Sequence, residues 1–90
     1  MPKITLSKTI TAHGEEVTEL DLREPTGGDF IDLGHPLIIN ADGSFSFNMG
    51  VVAAYISRLG KIPPWSVRDI VPSDLQTLAV QVSGFLGAQG

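Results

Sequence analysis

The stretch "LREPTGGDF", Leu22–Phe30, decides how the chain is organised: residues before it alternate with a period of two, and those after Asn48 follow a helical period. Pro25 has no N–H to give a ladder, so a strand must end here. Thr26 is a good helix N-cap, and Gly27, Gly28 and Asp29 lead into the apolar Phe30, Ile31 and Leu33. A short helix over 26–34 follows, closed by Gly34 and Pro36. The glycines do not make a phosphate loop, which needs a Lys and a hydroxyl after its last glycine, whereas Asp29 repels a phosphate. G-x-G-x-x-G is also missing. The stretch reads as a corner.

Upstream, Ile4, Leu6 and Ile10 alternate with Thr5, Ser7, Thr9 and Thr11, the pattern of a half-buried strand. Lys8 falls on the apolar side, which places it toward an edge or lets it snorkel. Leu20 and Leu22 alternate with Glu19, Asp21 and Arg23, and "AHGEE" supplies the glycine of a tight turn. An antiparallel hairpin over 4–24 with one wet face is expected. Val17 is out of parity with Leu20 and Leu22, so either a bulge lies near the start of the second strand or Val17 caps the turn.

Downstream, "LIINADGSFSF", Leu37–Phe47, offers a second, minor hairpin or an irregular loop. Val52, Tyr55, Ile56 and Leu59 fall at helical spacing with Met49 one turn earlier, predicting a helix over 48–59 with Gly60 at its C′ position and Pro63 and Pro64 preventing continuation. "PPWSVRDI" predicts a short helix over 64–70 whose Trp65, Val67 and Ile70 pin the longer helices together. Ser73 with Gln76 has capping-box spacing, and Leu75, Leu78, Ala79, Val82, Phe85 and Leu86 form a stripe, predicting a helix over 73–87. Pro72 at N1 with Val71 as cap is the other possible start. The expected fold is α+β, a single domain over 1–90: an N-terminal antiparallel β-hairpin, a short helix, and a C-terminal helical pair joined by a proline-rich turn.

Ninety residues with 42% hydrophobic content support one thin core that leans on a partner. No cysteine is present, so thiolate metal sites, disulfides and cysteine nucleophiles are excluded. A net charge of −4 with scattered basic residues argues against nucleic acid. "MPKITLSKT" lacks the apolar run of a signal peptide, and no segment approaches the ~20 apolar residues of a membrane span, so a cytoplasmic protein without membrane partners is expected.

Catalytic and metal motifs fare poorly. His13 near Glu15 and Glu16 reads as a solvated hairpin tip, since structural zinc needs about four convergent ligands and His35 lies in another loop. "NADGS" imitates part of a calcium loop, but with Gly43 at the sixth position the first and last ligands become Ile38 and Met49. No serine sits in G-x-S-x-G. Glu15/Glu16 and Asp29/Asp32 read as solvated acidic faces. The expectation is a non-enzymatic protein without cofactor, metal or small-molecule substrate.

The order of pieces is informative. The hairpin "ITLSKTITAHGEEVTELDLREPTGGD", the helix ending "YISRLGKIPPWSV" and the helix "SDLQTLAVQVSGFLG" together resemble the tail assembly chaperones of Mu-like and related contractile-tailed phages, from about Ile4 to Gly87. "LREPTGGD", "RLGKIPP" and "D-L-Q-x-L…GFLG" carry the likeness through their order and spacing; Val71 and Pro72 depart from it, standing where an Asp-led cap is usual. The resemblance implies a phage or prophage protein of the host cytoplasm that binds the tape measure protein, keeps it soluble until the tail tube polymerises, and is absent from the mature virion. It also implies a longer form made by frameshifting near the Phe85–Gly87 codons.

A groove between the helices at 48–59 and 73–86 is the expected client site, with Tyr55, Trp65, Phe85 and Leu86 as first contacts and Leu78 and Val82 behind them on the stripe. Any one of these side chains reads more readily as core, because a small domain needs them inside. The same surface offers a route to a homo-oligomer. Two rivals remain: a virion structural part such as a tail completion or connector protein, and a DNA-binding regulator, the latter disfavoured because Ser73–Leu86 has neither Lys nor Arg.

Overall fold

The structure, a computed structural model, describes residues 3–86. Strands β1 (Lys3–Ala12) and β2 (Glu15–Asp21) form the antiparallel hairpin, closed by a two-residue loop in which His13 and Gly14 both take positive φ, 54° and 77°. That is the turn whose twist suits a hairpin, and glycine carries the second position without strain. Leu6, Ile10, Ala12, Leu20 and Leu22 are buried while the intervening residues face outward.

The pairing is not continuous. Ile4 pairs with Leu20 and Ile10 with Val17, so Leu6 to Thr9 of β1 lie opposite Thr18 alone. The irregularity accounts for the parity of Val17, but the surplus residues belong to β1 rather than to the start of β2. It also leaves Lys8 exposed. Ser7, inside this arc, turns to the last helix: its N–H and hydroxyl both donate to the Asp74 carboxylate, at 2.9 Å for the N–H and 3.1–3.2 Å for the hydroxyl.

Helix α1 (Gly27–Leu33) starts at Thr26, whose side chain accepts from the Asp29 N–H while Asp29 accepts from the Thr26 N–H. This is a reciprocal capping box with Asp in the place usually held by Glu or Gln. Strands β3 (Leu37–Ile39) and β4 (Phe45–Phe47) form the second hairpin, antiparallel, with Leu37 opposite Phe47 and Ile39 opposite Phe45. The Gly43 N–H donates to Asn40 and the Asn40 N–H to Ser44, a type I turn followed by a left-handed residue.

Helix α2 (Met49–Gly60) is capped by Asn48. Its left-handed terminal residue is Lys61, φ 56°, one later than expected. Gly60 is instead the last helical residue, and a Cβ there would stand 3.3 Å from Leu22 Cδ2, so β2 packs against it. Helix α3 (Pro64–Val67) is shorter than the predicted 64–70, continuing as turns through Ile70. Val67 and Ile70 pin the helices as expected, but Trp65 does not, being exposed. Helix α4 (Pro72–Phe85) starts with Pro72 at N1 behind Val71, so no Ser73–Gln76 box forms. The predicted continuation to Gly87 lies outside the described residues.

The core gathers Leu6, Ile10, Leu20 and Leu22 of the hairpin against Val52, Tyr55, Ile56 and Leu59 of α2 and Leu78, Ala79 and Val82 of α4. Besides the Ser7–Asp74 bonds to α4, polar ties hold the hairpin to α2 and α3. The Arg23 N–H donates to Leu59 O at 3.2 Å, the His13 Nε2–H to Lys61 O at 3.1 Å, and the Ser66 hydroxyl to Thr11 O at 2.7 Å. The architecture is the α+β arrangement read from the sequence. No helix among the described residues is long and apolar enough to cross a membrane.

Candidate protein-interaction surface

The six residues expected to contact a client divide into three groups. Tyr55, Leu78 and Val82 are fully buried together, and the Tyr55 hydroxyl donates to Gly34 O at 2.6 Å. Burial raises the Tyr55 pKa by disfavouring the phenolate. Phe85 and Leu86 are half-buried, packed on the margin of the core. Trp65 stands apart at the α3 corner, 70% exposed. The space between α2 and α4 is filled by their own side chains.

Apolar surface appears elsewhere. Ile31 of α1, Ile39 of β3 and Phe45 of β4 are 82%, 70% and 67% exposed, with Phe30 and Ile38 also open. In the second hairpin, odd-numbered side chains share one face. On it, Leu37 opposite Phe47 is half-buried against the body, and Ile39 opposite Phe45 projects beyond it. His35, Leu37, Ile39 and Phe45 line a shallow depression there, and the Phe30 ring meets His35 edge-on at 5.6 Å. The sequence held a signal for this face: Leu37, Ile38 and Ile39 are consecutive, and a strand that alternates cannot bury all three against one core.

This end is fastened by charge. Asp29, only 5% exposed, accepts from Arg23 at 2.7 Å and from Arg58 at 3.2 Å, and Arg58 also reaches Asp32 at 3.1 Å. The Arg23 hydrogen bond, the Thr26 N–H and Arg58 hold the Asp29 carboxyl well below the usual carboxylate range against the opposing cost of desolvation. Asp29 is therefore a buried junction of β2, α1 and α2 rather than part of a solvated face; Asp32 does face solvent. The capping spacing and the arginine six residues upstream were its signals in the sequence.

Asp42, in the β3–β4 turn, accepts from the Ser44 hydroxyl at 2.6 Å and from the Ser44 N–H at 3.0 Å, and these bonds lower its pKa. A carboxylate held ionised thus stands at the end of the Ile39/Phe45 pair. A different groove, between α2 and α3, is lined by Ala53, Ala54, Ser57, Pro64 and Arg68 together with the Asp-paired Arg58.

Residues 3–87 match the family model described as phage tail assembly chaperone proteins, E, or 41 or 14. No curated protein and no solved structure gives a significant match. The match spans both hairpins, all four helices and the Asp29 junction, which makes the family a property of the whole fold. The chain belongs to the phage tail assembly chaperones.

Proposed function

We propose that the protein binds the tape measure protein and keeps it soluble until the tail tube polymerises around it. It acts as a non-enzymatic holder in the host cytoplasm and leaves before the virion is complete. One observation carries this reading beyond family membership: large apolar side chains stand in solvent on short elements whose burial the core does not require. Exposed apolar surface on a small acidic protein costs solubility and is maintained where a partner covers it. The acidic balance offsets that cost by keeping copies apart.

Of the residues first expected at the client site, Trp65, Phe85 and Leu86 are accessible for contact. Tyr55, Leu78 and Val82 reach a client only if α4 lifts from α2. Co-expression with the tape measure protein encoded alongside is the test, alone and with any frameshifted longer form. Retention of the tape measure in the soluble fraction, with copurification, is the expected result. An insoluble tape measure in both cases sinks the reading. Detection of this chain in purified particles by mass spectrometry would favour a virion structural part instead.

A further inference from the structure

We propose that the outward face of the β3–β4 hairpin, Ile39 and Phe45 with Leu37, His35 and Phe30, docks an amphipathic segment of a partner protein whose apolar side is flanked by Lys or Arg. Identifying that partner with the tape measure rests on the chaperone reading, whereas the face and its chemistry do not.

The apolar half of the argument is geometric. Leu37/Phe47 and Ile39/Phe45 form two successive rungs, the inner one packed on the body and the outer one two-thirds or more open. A partner side chain laid along this face extends an existing apolar contact instead of founding a new one. Among the described residues the hairpin is also two-stranded, so neither of its outer edges is covered by a third strand.

Charge selects the occupant. From Glu24 to Ser57 the sequence contains four acids, Glu24, Asp29, Asp32 and Asp42, and no Lys or Arg. Arg23 and Arg58, which reach this end from either side, are engaged with Asp29 and Asp32. Asp42 is left beside the outer rung, kept ionised by Ser44. An apolar segment bearing a cation past its hydrophobic stretch satisfies both features. A second copy meeting this face with its own brings acids against acids and no base, so the face disfavours isologous pairing.

The probe is a fluorescein-labelled amphipathic peptide of Leu and Lys, with its Leu and Glu counterpart, titrated by anisotropy at physiological salt. The Lys peptide should bind; the Ile39→Ser/Phe45→Ser protein should bind it about tenfold or more weakly, and Asp42→Asn a few-fold more weakly. Phe45→Ser alone is read in parallel with thermal unfolding, so that lost binding is not mistaken for a lost hairpin. Val80→Ser, 64% exposed on α4, should bind as the parent does. Equal binding by the double variant, equal binding of the Glu peptide, or no binding of the Lys peptide overturns the proposal. So does a concentration-dependent dimer that Phe45→Ser abolishes, which would give the face to a second copy. If the tape measure is held equally by parent and double variant, this face is not the client site while the chaperone reading stands. If the Lys peptide binds as predicted but the tape measure is not held, the face stands and the chaperone reading falls.

Discussion

The two hairpins share a topology and use it oppositely. The β1–β2 hairpin turns Leu6, Ile10, Leu20 and Leu22 inward and dresses its other side in threonine and glutamate. It is tied by hydrogen bonds to α2, α3 and α4. The β3–β4 hairpin is three residues per strand, anchored at its base through Leu37, Phe47 and the Asn48 N–H on Pro36 O, and its outer apolar residues are mostly open to solvent. In a small domain, apolar residues are normally recruited to the core first. Gathered on one exposed face, they form a patch of the kind that marks interaction sites.

Breaking the first hairpin's side of this comparison should cost most. Leu22→Ala and Leu78→Ala each remove a fully buried side chain, and urea unfolding should show losses of about 2–5 kcal/mol. Asp74→Ala removes the acceptor for Ser7 in the irregular arc of β1, and the same measurement should show a loss of about 2 kcal/mol.

The junction between the hairpins responds to acid. Asp29 is a stronger acid folded than unfolded, so as pH falls the unfolded chain takes up its proton first. Its contribution is whole at neutral pH and drains away below about pH 4, the range of an unperturbed carboxyl, on the way to the depressed folded value. Unfolding midpoints at pH 7 and pH 3 should therefore differ less in Asp29→Asn than in the parent. An unchanged difference would mean that the arginine pairing adds nothing.

Ser83 should change stability in the other direction. Its hydroxyl is buried in α4 without a hydrogen-bond partner among the described residues, and Ser83→Ala should raise stability by about 1 kcal/mol. The smallest effect sharpens the comparison most. Ile39→Ser and Phe45→Ser should each alter stability by less than about 0.5 kcal/mol. Large losses there would make the second hairpin structural and return the two to the same class.

Most of the fold was legible because its signals are local. Alternation gave the first hairpin, Thr26 and Pro25 the corner, and the stripes of α2 and α4 their inward faces. What was misread depended on neighbours distant in sequence. Gly60 looks like a terminating glycine, but Leu22 of β2 lies against it, and the left-handed turn falls on Lys61. Val17 is out of parity in the sequence with a bulge placed near the start of β2 as one reading, whereas the surplus residues sit in β1. Asp29 looked solvated because Arg58 is far along the chain. The candidate contacts followed the same pattern. Helical stripes mark burial without naming what does the burying, and for Tyr55, Leu78 and Val82 the protein's own core does it. The apolar hairpin face lay in a segment too short for its pairing to be settled by periodicity.

The bond between Ser7 and Asp74 also bears on synthesis. It joins residues 67 positions apart, so β1 is completed by α4, which is made well after it. Contacts of such separation form late and slow the search for the native state. A nascent chain can close the His13–Gly14 turn early, yet the arc from Leu6 to Thr9 stays unsecured until α4 has been made. Chains that stop before Asp74 therefore lack the contact that finishes β1.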